Sequence, residues 1–431
     1  MPKPSIWSDV PRQGAASFRI GTGPFWQGLD MRMPDWAHPL AVWAADFVND
    51  RHARVDESGS AETALSVLRS SSHLFTDASG VLRGFAADTL ARNDGVGAYI
   101  GGQVTNKASN YNANPTDLTG VTKLGDAAAT LAVVDDSAAL AAAGLSGICM
   151  SGKVFKLDNT AGTGAAWVFC SAATGNTSAH SMSSYLRGSG GYFLKLSGEA
   201  TASNFTATAG YVRRKRVNFI PGDSGKVMTI GVNAGGVVYF VLNQMEEGKD
   251  ISPPIVTSGA SATRYASIAT DASFGWFGAA GLDTDGLSVL AEVNLPYIGA
   301  GAGASSQPFL GLFDNVSIGS NGFTLFASES SGLRVTLRKA GTGVLTLSAG
   351  TQLTAGQTGR IAFNMRPSSS ELILNGALIA SGDPGGLPTG LAQMQVGGAG
   401  FLGAYLNGTL RQLQICHPLS QAAAQAWTEA A

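Results

Sequence analysis

The sequence predicts a mainly β protein: an N-terminal attachment region with some helix, then two antiparallel β-sandwich (jelly-roll) domains. Three observations carry that prediction. Glycine supplies 57 of the 431 residues while charged residues make up only 13%, a composition suited to tight turns and few solvated faces. The apolar residues fall in short alternating runs such as KVFKL (Lys153 to Leu157) and YFLKL (Tyr192 to Leu196). Segments rich in Gly, Ser and Thr separate these runs, the pattern of strands joined by turns. An apolar fraction of 44% with a net charge of −2 excludes a disordered chain. The same low charge supplies no long-range field for nucleic acid or an anionic membrane. No apolar run approaches the roughly 18 residues that a membrane span needs. MPKPSIWSDV contains no apolar signal-peptide core, so synthesis in a reducing cytoplasm without a signal peptide is expected.

The first region, residues 1–84, holds four of the seven tryptophans: Trp7, Trp26, Trp36 and Trp43. Leu40, Trp43, Phe47 and Val48 recur at helical spacing and predict a helix within DWAHPLAVWAADFVNDRHARV. A second helix is predicted over Ala61 to Leu68. So much aromatic surface suits either a small cap on the next domain or a module that docks on another protein, since aromatic residues dominate interface cores.

The second region, residues 85–256, shows strand patterns, among them AAWVFC, KVMTIGV and GVVYFVL. One helix is predicted at DDSAALAAAGL, capped by Asp136 or Ser137 and ended by Gly144. Ser252–Pro253–Pro254 continues neither strand nor helix and marks the boundary. The third region, residues 264–431, is again strands and turns. Asn375–Gly376 between two apolar runs is its strongest hairpin signal. A closing helix is predicted over QAAAQAWTEA, with Ser420 as N-cap.

Several constellations fail as chemical motifs. Gly222–Asp223–Ser224–Gly225 is followed by Lys226–Val227 and reads as a polar turn, not a nucleophile loop. Gly398 to Gly403 matches GxGxxG without the strand–helix context of a dinucleotide site. The histidines His38, His52, His73, His180 and His417 have no metal-ligand spacing. Asp283–Thr284–Asp285–Gly286 offers oxygen ligands for Ca²⁺ but lacks the rest of a calcium loop. No metal or other cofactor is therefore expected. Cys149, Cys170 and Cys416 read as reduced core residues, a Cys149–Cys170 bridge being the alternative. In Arg213–Arg214–Lys215–Arg216, alternate residues of a strand face opposite sides. The run fits an edge or subunit-contact strand; a patch for anionic capsule sugars is the other reading.

Two segments of the second region carry a resemblance. GVLRGFAADTLARNDGVGAYIGGQVTNKASNYNANPTDLTGVTK (Gly80 to Lys123) and VYFVLNQMEEGKDISPPIVTSGASATRYAS (Val238 to Ser267) bracket it. Together they resemble a family of bacteriophage, prophage or gene transfer agent fibre and spike proteins with a jelly-roll, carbohydrate-binding-like domain. Gln244, Glu246, Gly248, Pro254 and Arg264 match the family's closing pattern, whereas Val121 stands where the family usually has Trp. The third region is similar to laminin-G-like or concanavalin-like sandwiches, through ELILNGALIASG and FLGAYLNGTLRQLQICHPLSQAAAQAW.

The resemblance implies a virion-surface spike or fibre subunit: a non-enzymatic, homo-oligomeric adhesin for host surface polysaccharide. Its partners would be other virion proteins, reached through Trp7, Trp26, Trp36 and Trp43. Neither nucleic acid nor membrane insertion is implied. Glycan recognition combines aromatic platforms with polar groups, which makes Trp167, Tyr185, Tyr192, Trp276, Tyr297, Asp314 and Asn315 the candidate binding residues. The rival readings are a capsule depolymerase on the same scaffold, needing two convergent carboxylates, and a purely structural virion connector.

Overall fold

Strands from the two ends of the chain meet in one sheet. The computed structural model describes residues 33–54, 57–60, 64–271, 274–296, 306–314, 321–348, 350, 353–399 and 404–429. Within them Ala41–Asp46 pairs antiparallel with Gly408–Cys416, Trp43 standing opposite Ile415 and Ala45 opposite Leu413. The same C-terminal strand pairs on its other side with Leu287–Asn294. The result is a ten-stranded sheet whose edges are Glu57–Gly59 and Ala377–Gly382. A seven-stranded sheet packs against it and is likewise composite, since Ser66–Leu68 pairs with Ile268–Asp271. Trp43, Phe47, Phe309, Phe363 and Leu413 share the core between the two sheets.

Residues 1–84 are therefore not a separate module in so far as they are described. The predicted helix within residues 35–55 is a hairpin, Ala41–Asp46 with Arg51–Arg54. All six residues of AVWAAD are buried, because one face meets the sandwich core and the other a covering layer. That layer contains Trp36 from just before the strand, with Leu419, Ala424 and Trp427 from the C-terminal helix and its approach. A strand apolar on both faces has no alternation, and its residues imitate the spacing of a helix. The second predicted helix is also corrected where described, Ser66–Leu68 being a strand.

Between Val104 and Arg264 the chain leaves this sandwich and builds a second one. Its two five-stranded sheets run Thr122–Gly125, Ala166–Phe169, Met228–Val232, Gly191–Leu196, Ser203–Thr206 and Thr130–Asp135, Lys153–Asp158, Val237–Glu247, His180–Ser189, Val212–Phe219. Phe155, Tyr192, Ile230 and Phe240 are in its core. The predicted helix is present at Ser137–Ala142, although Asp136 makes no side-chain cap there. Its carboxylate instead accepts from Arg187 Nε (2.7 Å) and Tyr211 Oη (2.6 Å). Val212–Phe219 lies at the edge of its sheet, as the charge run requires. The closing helix Gln421–Glu429 and the Asn375–Gly376 hairpin form as predicted; Ser420 Oγ accepts from Ala423 N at 3.2 Å. All three cysteines are buried and free, and burial pushes the Cys149 thiol up to about 12.

The ingoing strand Val104–Asn106 and the outgoing strand Ala262–Arg264 form a short ribbon between the sandwiches. Buried amides lock that junction. Asn106 Nδ2 donates to the carbonyls of Asn243 (3.0 Å) and Ile255 (2.9 Å). Asn112 Nδ2 donates to the same two carbonyls, each at 2.9 Å. Asn112 Oδ1 accepts from Thr257 N, and Asn106 Oδ1 from Met245 N. Because the two amides share their acceptors, either Asn→Ala change alone leaves both carbonyls paired. Asn106→Ala with Asn112→Ala orphans both, at about 1–3 kcal/mol per buried group. In a double-mutant cycle read by urea denaturation, the combined loss is expected to exceed the sum of the single losses. Simple additivity would contradict the shared clamp.

Candidate functional site

The seam between the sandwiches holds a cavity of about 230 Å³ lined from both sides. This is just below the usual range of small-molecule pockets, about 300–1,000 Å³. The hairpin of His73–Thr76 with Leu82–Phe85 contributes Phe75 and the outer sandwich Tyr99, Asn294, Gln307 and Asn407; the inserted one contributes Arg213, Lys215, Glu246, Glu247, Asp250 and Ser252.

Tyr99 forms the aromatic wall, on the strand Gly97–Ile100. His73 stacks on it with ring centroids 5.0 Å apart, and Phe75 meets it at 5.6 Å. The Arg264 guanidinium lies 5.7 Å from the Tyr99 ring centroid. Gly101 makes room: a Cβ there would stand 2.6 Å from the Tyr99 ring. Burial raises the Tyr99 phenol above its ordinary value. Burial, Arg264 and Arg69 hold His73 well below the ordinary imidazole value, so it is neutral at pH 7.

The floor is polar and mostly self-satisfied. Glu246 accepts from Ser252 N (2.5 Å), Ser252 Oγ (2.8 Å) and Gln244 Nε2 (2.5 Å). Gln244 Oε1 in turn accepts from Ile255 N at 3.0 Å. Gln244 and Glu246 thus fasten the outgoing loop onto Val237–Glu247. Arg213 donates to Ser183 Oγ (3.1 and 3.0 Å) and to the Ser252 carbonyl (2.7 Å). Glu247 accepts from Asn176 Nδ2 at 2.8 Å. Nearby, Lys249 ties the two sandwiches together through Glu329 at 2.5 Å.

The candidate residues named from the sequence do not assemble into one site. Tyr192 is 1% exposed, with its hydroxyl buried inside the second sandwich. Trp276 is a core residue whose Nε1 donates to Asp271 Oδ2 at 2.7 Å. Neither offers a free ring face, because each fills the space between facing sheets. Asp314 closes its own loop by accepting from Asn321 N at 3.0 Å. Tyr185 stands opposite Arg213 in the sheet, half-buried beside the helix cluster. Trp167 is half-exposed with Lys195 Nζ 5.0 Å from its ring centroid, on the sheet that does not line the cavity. Tyr297, Asn315, Trp7 and Trp26 lie outside the described residues.

Of the residues assigned to attachment, Trp43 is fully buried and Trp36 packs on the covering layer under Arg51. Truncating a core aromatic costs about 3–5 kcal/mol, so Trp43 serves stability and presents nothing to a partner. Three of the four basic residues of the Arg213 run are also committed. Arg216 pairs with Glu199 at 3.1 Å and Arg214 lies over Phe205, both on the face away from the cavity. The cavity residues Phe75, Tyr99, Asn294, Gln307 and Asn407 carried no sequence signal of their own, since five separate segments supply them.

No protein-family model matches the sequence, and no curated protein matches it. Solved structures similar to part of the chain include the Ruminococcus gnavus IT-sialidase CBM40 bound to α2,3-sialyllactose. It is 20% identical, with 35% of this chain and 87% of that chain covered at a TM-score of 0.29. Domain 4 of AbnA, an extracellular arabinanase from Geobacillus stearothermophilus in complex with arabinotriose, is 14% identical over 39% of this chain and 77% of its own, at 0.30. A SAP-like pentraxin from Limulus polyphemus is 12% identical over 32% and 67%, at 0.27. Scores of this size carry no argument about the fold or ligand of this chain.

Burial raises the Glu246 carboxyl above its ordinary value of 4.5. The folded state therefore keeps this proton to higher pH than the unfolded state does. Its contribution to stability is full below the unfolded value and is lost as pH climbs through the folded one. Glu246→Gln is expected to flatten that loss in denaturation curves taken across a pH series above 4.5. Parallel curves for the two proteins would contradict a raised Glu246.

Proposed function

We propose that this chain is a non-enzymatic spike or fibre subunit of a virion that binds host surface polysaccharide through the seam between its sandwiches. One observation carries the binding part. The seam brings an aromatic wall, Tyr99 with Phe75, against hydrogen-bonding side chains from two domains in a cavity sized for a small group. An apolar surface flanked by a few placed polar groups is the usual chemistry of ligand pockets.

The virion assignment rests on the sequence resemblance at both ends of the inserted domain. Binding without hydrolysis is favoured by the state of the cavity carboxylates. Glycoside hydrolysis uses two carboxyl groups flanking the scissile bond. Glu246 has both oxygens taken by Ser252 and Gln244 and Glu247 is held by Asn176, which leaves Asp250 as the one open cavity carboxylate among the described residues, short of the pair. Tight attachment would come from several copies acting together, each bound weakly. Contact with other virion proteins is assigned to residues 1–32, which include Trp7 and Trp26.

The binding reading is checked with the purified full chain on a glycan array and on host cells. Retention by a defined set of glycans, without release of reducing sugar from purified capsule, is expected. Reducing-sugar release would make the chain a depolymerase; no attachment to glycan or cell would leave a structural connector. The virion reading is checked by deleting residues 1–32. The shortened protein is expected to keep glycan binding and to be absent from particles; its presence in them would overturn the attachment assignment.

A further inference from the structure

We propose that the seam recognises a neutral sugar, by holding two adjacent hydroxyl groups between the Lys215 ammonium and the Asp250 carboxylate. This rests on the glycan-binding reading above and names its ligand class.

Five charged side chains line the cavity. Arg213 is spent on Ser183 and Ser252, Glu246 on Ser252 and Gln244, and Glu247 on Asn176. Lys215 and Asp250 are different. Among the described residues neither side chain has a hydrogen bond or an ion pair, yet each lies within the other's electrostatic reach. They come from different elements: Lys215 from the edge strand Val212–Phe219, Asp250 from the loop that Glu246 fastens down.

An ammonium only donates hydrogen bonds and a carboxylate only accepts them. A ligand that displaces their water must replace both kinds of bond or leave a charged group unsatisfied. A hydroxyl donates and accepts at once, so a vicinal diol satisfies the pair without adding charge. An acidic sugar would gain Lys215 and Arg213 but set its carboxylate against Asp250, Glu246 and Glu247. An amino sugar would gain those carboxylates but set its ammonium against Lys215 and Arg213. Lys215 is exposed and Asp250 half-buried, so a ligand entering the cavity reaches both. Tyr99, buried against His73 and Arg264, contributes a ring edge and hydroxyl to the lining beside the pair. The basic run does not tip this balance towards anions, because Arg214 and Arg216 occupy the opposite face of the strand.

The test uses the full chain on an array of neutral and carboxylate-bearing oligosaccharides, then titration calorimetry with the strongest neutral binder. Lys215→Met and Asp250→Asn are each expected to weaken neutral binding by about tenfold or more, the usual worth of a charge-assisted hydrogen bond. Affinity is expected to change little with salt, as suits an uncharged ligand. Binding confined to acidic glycans, strengthened by Asp250→Asn, would overturn the neutral assignment and leave glycan binding standing. Neutral binding untouched by both variants would move the ligand away from this pair and also overturn it. If no glycan binds at all, the parent reading fails first. Thermal unfolding of both variants at the parental temperature excludes loss of fold as the cause.

Discussion

Everything that distinguishes this molecule depends on two asparagines. Asn106 and Asn112 reach the same pair of carbonyls, at Asn243 and Ile255, and so bind the ingoing segment of the inserted sandwich to its last strand and its outgoing segment. Backbone groups in such a place cannot be left dry without cost, and the ladder between His180–Ser189 and Val237–Glu247 is broken here by a bulge. Leu242 even adopts a positive φ of 54° there, its N–H turned to the Asn112 carbonyl. Side-chain amides, each carrying donors and an acceptor, supply what the ladder does not.

The seam inherits its shape from that clamp. With the ingoing and outgoing segments fixed, Glu246 and Gln244 pin the loop through Ser252 to Ile255. That loop places Asp250 across from Lys215 and gives Arg213 a carbonyl to hold. On the other side, Tyr99 belongs to a strand hydrogen-bonded to Gly408–Cys416. Its backbone is therefore set by the outer sandwich, and Arg264 from the ribbon lies over its ring. The cavity is the space left where two independently packed bodies are held at a short ribbon, which explains why its walls differ so much in chemistry.

How much of this was legible in the sequence depended on the distance over which each feature is decided. The Asn375–Gly376 turn and the Ser420-capped helix are decided within a few residues, and both stand where expected. The runs of the inserted sandwich, whose alternate residues Phe155 and Leu157, and Tyr192, Leu194 and Leu196, enter its core, were equally readable. AVWAAD was not, because both of its faces are covered and burial erased the alternation that marks a strand. The pairing of Ala41–Asp46 with Gly408–Cys416 joins segments from opposite ends of the chain, and no local pattern encodes it. The same holds for the seam. Lys215 was visible only as part of a charge run, and Asp250 as one acidic residue in a loop. What gives them meaning is which neighbours are already engaged, a property of side chains brought together from distant segments. Tyr192 and Trp276 show the converse, since aromatic character alone does not separate a platform from a core residue.

The composite outer sandwich has a consequence for how the chain divides. A cut anywhere between Asp46 and Gly408 leaves one piece with the strand Ala41–Asp46 and the other with its partner. No single cut there yields two self-sufficient halves. Two cuts, one on each side of the ribbon, are required. They would release the inserted sandwich whole and leave the outer one to be closed by a short bridge between Gly102 and Tyr265. In its connectivity the molecule is a host fold carrying a guest in one of its loops, so the guest is exchangeable in a way that the host's two ends are not.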